Sequence, residues 1–111
     1  MRFLMYEAPG SPSATTPPTP QLMTEMGKLV EETTKAGILL ATGGLGPAGI
    51  RVRSSGAKVT VTDGPFTEAK ELTGGFALVE VKTKEEAIEW AKRFRKIVGD
   101  GESIIQEVFG G

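Results

Sequence analysis

The densest run of groups able to do chemistry is Asp63-Gly64-Pro65-Phe66-Thr67-Glu68-Ala69-Lys70-Glu71, which places three carboxylates and a lysine within nine residues. Glu68 and Glu71 stand at (i, i+3) and repel unless Lys70 or Arg51 lies between them. Such a like-charged pair raises one carboxyl pKa towards the range where it can exchange protons at neutral pH. Asp63, Glu68 and Glu71 are therefore the candidate catalytic groups, with Asp63 orienting the loop and Glu68 or Glu71 accepting a proton. Arg51 or Lys70 would hold an anionic group, and Phe66 would anchor the loop from beneath. Tyr6 and Glu7, closing an early apolar run, would complete the rim. The same residue types also make an ordinary turn, because Asp before Gly-Pro satisfies its own backbone donors and Pro65 can start a helical turn through Glu71. Spacing alone favours the turn.

What is missing narrows the chemistry further. The chain has no His and no Cys, which removes Ser-His-Asp and Cys-His nucleophiles, thiol redox chemistry and the usual zinc sites. Acid–base work must fall to carboxylates, lysine or Tyr6. An oxygen-only Mg²⁺ or Ca²⁺ site stays open on composition, yet no acidic loop of the EF-hand kind is present, and the expectation is of neither metal nor cofactor. A net charge of −1 offers no electrostatic footprint for nucleic acid or an anionic membrane. No apolar run approaches the roughly twenty residues of a membrane span, and the apolar start is too short for a signal sequence. A cytoplasmic location is the expectation, with no membrane or nucleic-acid partner.

The elements that must position these groups follow from pattern. With 111 residues, 39% of them hydrophobic and 24% charged, residues 1–111 read as one α+β domain. Arg2 to Glu7 is a first strand. Residues 9–20 hold five of the seven prolines and form an extended internal loop that buries little. Thr19 can cap a helix with Pro20 at its first position, and Leu22, Met26, Leu29, Val30 and Thr33 recur at helical spacing. Glu31 and Lys35 pair at (i, i+4) on the outer face, and Gly37 ends the helix in a left-handed conformation. Gly27, costly inside a helix by about 1 kcal/mol against Ala, implies close packing there.

Ile38 to Thr42 is a second strand. Ile50–Arg53 and Lys58–Thr62 alternate with period two across Ser54–Ala57, the pattern of a hairpin with one face covered and one wet. Phe76 to Val81 is another strand. Thr83 to Glu86 is a capping-box signature opening a second helix, whose inner stripe is Ala87, Trp90, Ala91 and Phe94. Trp90 is expected in the core rather than as a ligand platform. Ser103 to Phe109 is the last strand. Gly44-Leu45-Gly46-Pro47-Ala48-Gly49 matches GxGxxG formally. A strand follows it where a dinucleotide site needs a helix, so it reads as a glycine-rich connection.

Without the hairpin the order is β-α-β-β-α-β, a ferredoxin-like order in which two helices cover one face of a sheet. Phe76, Leu78 and their neighbours cannot all lie under those helices. A second subunit covering the other face is the economical answer, so a homodimer is expected.

The run from Val61 to Leu72, centred on Asp63-Gly64-Pro65-Phe66, resembles the signature of the YCII-related, or DGPF-domain, proteins. The resemblance continues through Gly75-Phe76 and Lys82–Trp90, and takes in Met1–Phe3, Met26–Lys28, Ala36–Leu40 and Gln106–Phe109. It implies a ferredoxin-like subunit pairing as a dimeric α+β barrel with the two sheets facing. Relatives carry a His–Asp pair near a cleft, and some are encoded beside extracytoplasmic-function sigma factors. Here Gln21 stands where relatives place the His, and Gln106 where many have Arg. Two classes of function follow. One is a small-molecule binding protein with a pocket near the Asp63–Glu71 loop and carboxylate acid–base catalysis. The other is a non-enzymatic dimeric module that senses a ligand or engages a protein, linked to sigma-factor regulation.

Overall fold

A computed structural model describes residues 1–8, 19–45, 49–63 and 75–110 of the chain. Four strands form an antiparallel sheet in the order β2-β5-β1-β6: β1 (Arg2–Glu7), β2 (Leu39–Gly44), β5 (Gly75–Glu80) and β6 (Ser103–Val108). Helices α1 (Pro20–Lys35) and α2 (Lys84–Val98) complete the ferredoxin-like order, and β3 (Ile50–Ser55) with β4 (Lys58–Asp63) makes a separate hairpin. No helix among the described residues is long and apolar enough to cross a membrane. The Asp63 loop beyond Asp63 itself, the proline-rich loop and the centre of the Gly44–Gly49 connection lie outside the described residues.

Local chemistry sets the helix ends. Thr19 Oγ1 accepts from the Leu22 amide at 3.1 Å, and Thr83 Oγ1 accepts from the Glu86 amide at 3.2 Å. Glu86 returns its carboxylate to the Lys82 amide at 3.0 Å, one residue before the cap, so the box closes on a slightly wider ring. Gly37, at φ 72°, ends α1: its amide donates to Thr34 and that of Ile38 to Thr33, the paired bonds of a Schellman motif. Lys35 meets Glu31 at 2.9 Å on the outer face. Arg93 bridges to Glu32, joining the two helices, and lies 4.8 Å from the centroid of the Trp90 ring.

Register decides what the helices cover. Phe3 opposes Val79 and Met5 opposes Ile105, and these side chains meet Val81, Ala87, Leu39 and Trp90 in the core. The alternate residues face away. Leu4 opposes Leu78 and Gln106, and Tyr6 opposes Phe76 and Ile104, so these six share the sheet face that neither helix covers. Within the described residues this face is half-exposed at Leu4, Tyr6, Phe76, Leu78 and Ile104.

Two expectations need correcting. A Cβ at Gly27 would meet nothing within 4 Å among the described residues, so no close packing by them explains that glycine. The β3–β4 hairpin forms as expected and β3 follows the glycine-rich connection directly, but all twelve of its strand residues are exposed. The period-two pattern prepares a face for burial, and no other element among the described residues packs extensively on it.

Candidate functional site

Between the sheet and the two helices lies a cavity of about 310 Å³. Its walls are apolar: Met26, Leu29 and Val30 from α1, Trp90, Ala91 and Phe94 from α2, and Met5, Leu39 and Val79 from the sheet. Trp90 therefore packs against the core and lines the cavity at once. Domains of this size are normally close-packed, and an empty void of that volume would cost about 7 kcal/mol at roughly 24 cal/mol per Å³. That is comparable with the whole stability of an ordinary domain, about 5–15 kcal/mol. A space this large is tolerable because it opens to solvent, and its apolar lining then gains by exchanging water for a ligand.

One end of the cavity is polar. Glu7, with a side chain only 4% exposed, receives Arg95 Nη1 at 3.0 Å. The same nitrogen donates to Ser103 Oγ at 3.0 Å, and Nη2 donates to the Gly99 carbonyl at 2.9 Å. Glu7 and Ser103, opposed in the β1–β6 register, both line the cavity. The buried carboxylate is held by a guanidinium that is itself anchored twice, so its orientation is fixed. Arg95 was not among the residues singled out from the sequence. Its spacing is the available signal, since Ala87, Ala91 and Arg95 fall on one helical face and the first two are buried.

The cavity sits at one end of the sheet. Glu7, Gly43 and Gly75 line it or its border, and they stand where β1, β2 and β5 meet residues 9–18, 45–49 and 64–74. Backbones are close there. A Cβ on Gly75 would come 3.1 Å from the Gly43 carbonyl oxygen, and one on Gly43 would come 3.2 Å from the Phe76 ring.

The residues singled out from the sequence divide into three groups. Glu7 lines the cavity and Tyr6 borders it, although the Tyr6 ring lies on the uncovered face of the sheet, where its hydroxyl donates to Gln106 Oε1 at 2.6 Å. Arg51 and Asp63 are exposed on the hairpin and are not cavity-lining residues; Asp63 ends β4 opposite Ile50. Phe66, Glu68, Lys70 and Glu71 lie outside the described residues, on the segment that re-enters at Gly75. Among the described residues no cluster of three or more metal-ligating side chains occurs.

A ferredoxin-like sheet, two covering helices and a cavity at the sheet end define an α+β domain built to enclose a small space. The chain belongs to the YCII-related domain family, whose family model matches residues 1–108; DGPF is another name for it. No curated protein matches the chain. Among solved structures, it is similar in fold to 5-chloro-2-hydroxyhydroquinone dehydrochlorinase (TftG) from Burkholderia phenoliruptrix, in complex with 2,5-dihydroxybenzoquinone. The TM-score is 0.51 at 16% sequence identity, over 100% of this chain and 96% of that one.

Proposed function

We propose that the chain binds a small, largely apolar molecule carrying one or two polar substituents in the cavity between sheet and helices. The observation that carries this reading is an open apolar space of about 310 Å³ ended by the fixed Glu7–Arg95–Ser103 group. Its volume falls at the low end of ligand pockets, roughly 300–1,000 Å³, which suits a single substituted ring. The complex of TftG with a dihydroxybenzoquinone, on a similar fold, supports that size class. Glu7 is committed to Arg95 and would orient the ligand. Glu68 or Glu71 would supply the proton acceptor from the segment re-entering at Gly75, with Asp63 orienting that segment and Arg51 or Lys70 holding a negative group.

Thermal-shift and calorimetric titration with a panel of hydroxylated benzenes, hydroxybenzoates and benzoquinones tests the reading. A ligand at 100 times its Kd should stabilise the fold by about 2.7 kcal/mol. The reading fails if no panel member shifts the wild-type transition or perturbs cavity resonances of Leu29, Val30 and Trp90.

A second reading concerns assembly. The uncovered sheet face, with Leu4, Tyr6, Phe76, Leu78 and Ile104 half-exposed, favours two chains pairing sheet to sheet as a dimeric α+β barrel. In a non-enzymatic version of the function, ligand occupancy of the cavity would be read out through that dimer. Substituting Leu78→Asp and measuring the association state by sedimentation equilibrium tests the pairing. An unchanged dimer would rule it out.

A further inference from the structure

The β3–β4 hairpin presents its apolar side chains to one face only. Val52 opposes Val61, Ile50 opposes Asp63 and Ser54 opposes Val59, so Ile50, Val52, Val59 and Val61 stand together. Their exposures are 69%, 64%, 62% and 64%. The opposite face carries Arg51, Arg53, Thr60 and Thr62. β3 and β4 pack on each other, and no third described element packs extensively against them. An isolated two-stranded hairpin is marginal in water, and one with four aliphatic side chains bare on one side needs a third layer.

We propose that this face docks on a second copy of the chain, each hairpin serving as an arm that clasps its partner around the rim of the sheet-to-sheet contact. The inference rests on the paired reading given above and adds the arm to it. Area favours a second copy. The four side chains offer roughly 400 Å² of aliphatic surface, so two reciprocal arms and the surfaces they cover remove about 1,600 Å², a standard interface. The docking face is also nearly free of charge: Arg51, Arg53 and Lys58 lie on the opposite face, and Asp63 at the hairpin's open end is the charged residue beside Ile50.

Sedimentation equilibrium on wild type, Val61→Asp, Thr60→Asp and Leu78→Asp tests the arm. Thr60→Asp makes the same charge change on the other hairpin face. The arm predicts that Val61→Asp raises the dimer dissociation constant at least 100-fold, while Thr60→Asp changes it less than 3-fold. If Val61→Asp and Thr60→Asp behave alike, the arm is wrong; if Leu78→Asp alone then dissociates the dimer, sheet pairing stands without it. If Val61→Asp dissociates the dimer and Leu78→Asp does not, the arm stands and sheet pairing falls. A wild type monomeric at 100 μM overturns both. As an independent readout, the chain has no cysteine, so Val59→Cys takes a solvent-sensitive dye at one place only. Its emission should shift to the blue as concentration rises through the dissociation constant; emission that stays constant speaks against the arm.

Discussion

Arg95 on α2 and Glu7 at the end of β1, 88 residues apart in the chain, form a buried ion pair at 3.0 Å that borders the cavity. The side chains are 19% and 4% exposed, so neither charge is fully repaid by water. Buried pairs of this kind are weak evidence for net stability, yet removing one partner is costly because the other is left unpaired. Arg95→Met is therefore expected to destabilise the fold by about 3–5 kcal/mol. The double variant Glu7→Leu with Arg95→Met should recover most of that loss. Urea denaturation at constant slope measures both, and a double variant no better than the single one would show that the pair does more than cancel its own desolvation.

Ala91 is buried on the cavity wall, where a larger side chain can enter the void. Ala91→Leu should hold the unliganded stability within about 1 kcal/mol of wild type, since the added carbons occupy open space instead of packed core. The same change should weaken any cavity ligand by at least about tenfold. Calorimetry on both proteins checks it. A loss of stability with unchanged ligand affinity would place the ligand elsewhere.

Gly27 lies in the interior of α1 with open space where its Cβ would be. Gly27→Ala should stabilise by about 1 kcal/mol, raising the melting temperature by about 4 °C. A neutral or lower melting temperature would mean that the glycine is kept clear for something that lies on the helix surface.

Glu68→Gln and Glu71→Gln separate binding from turnover. If either carboxylate takes the proton, its variant should keep the ligand-induced thermal shift while turnover of a panel compound falls about 10²–10⁴-fold. Equal loss of binding and turnover would assign the residue to ligand positioning instead.

Much of the fold was legible because its signals are local. Thr19, Thr83 and Gly37 act within one helical turn of themselves, and the structure shows each of them capping as its neighbours require. The face left over by two helices was also legible, since Phe76 and Leu78 alternate with core residues along β5. The site was less so. Glu7 could be named as a strand-end acid, but its partner comes from a helix 88 residues away, and periodicity does not report such meetings. The cavity was invisible for the same reason: Leu29, Val30, Trp90 and Phe94 read as core, and only their three-dimensional spacing leaves a gap among them. The hairpin's alternation showed which residues want burial without showing against what.

The close approach of Gly43 and Gly75 gives the proposed site an asymmetric future. At that edge the strands leave no room for a side chain, because a Cβ on Gly75 would press on the Gly43 carbonyl and one on Gly43 on the Phe76 ring. Substitution at the edge therefore strains the sheet before it reshapes the cavity. Breadth has to come from the helix side, where Met26, Leu29 and Val30 can be trimmed one at a time. Diversification of such a pocket would proceed through α1, while the glycine pair holds the strands at their close approach.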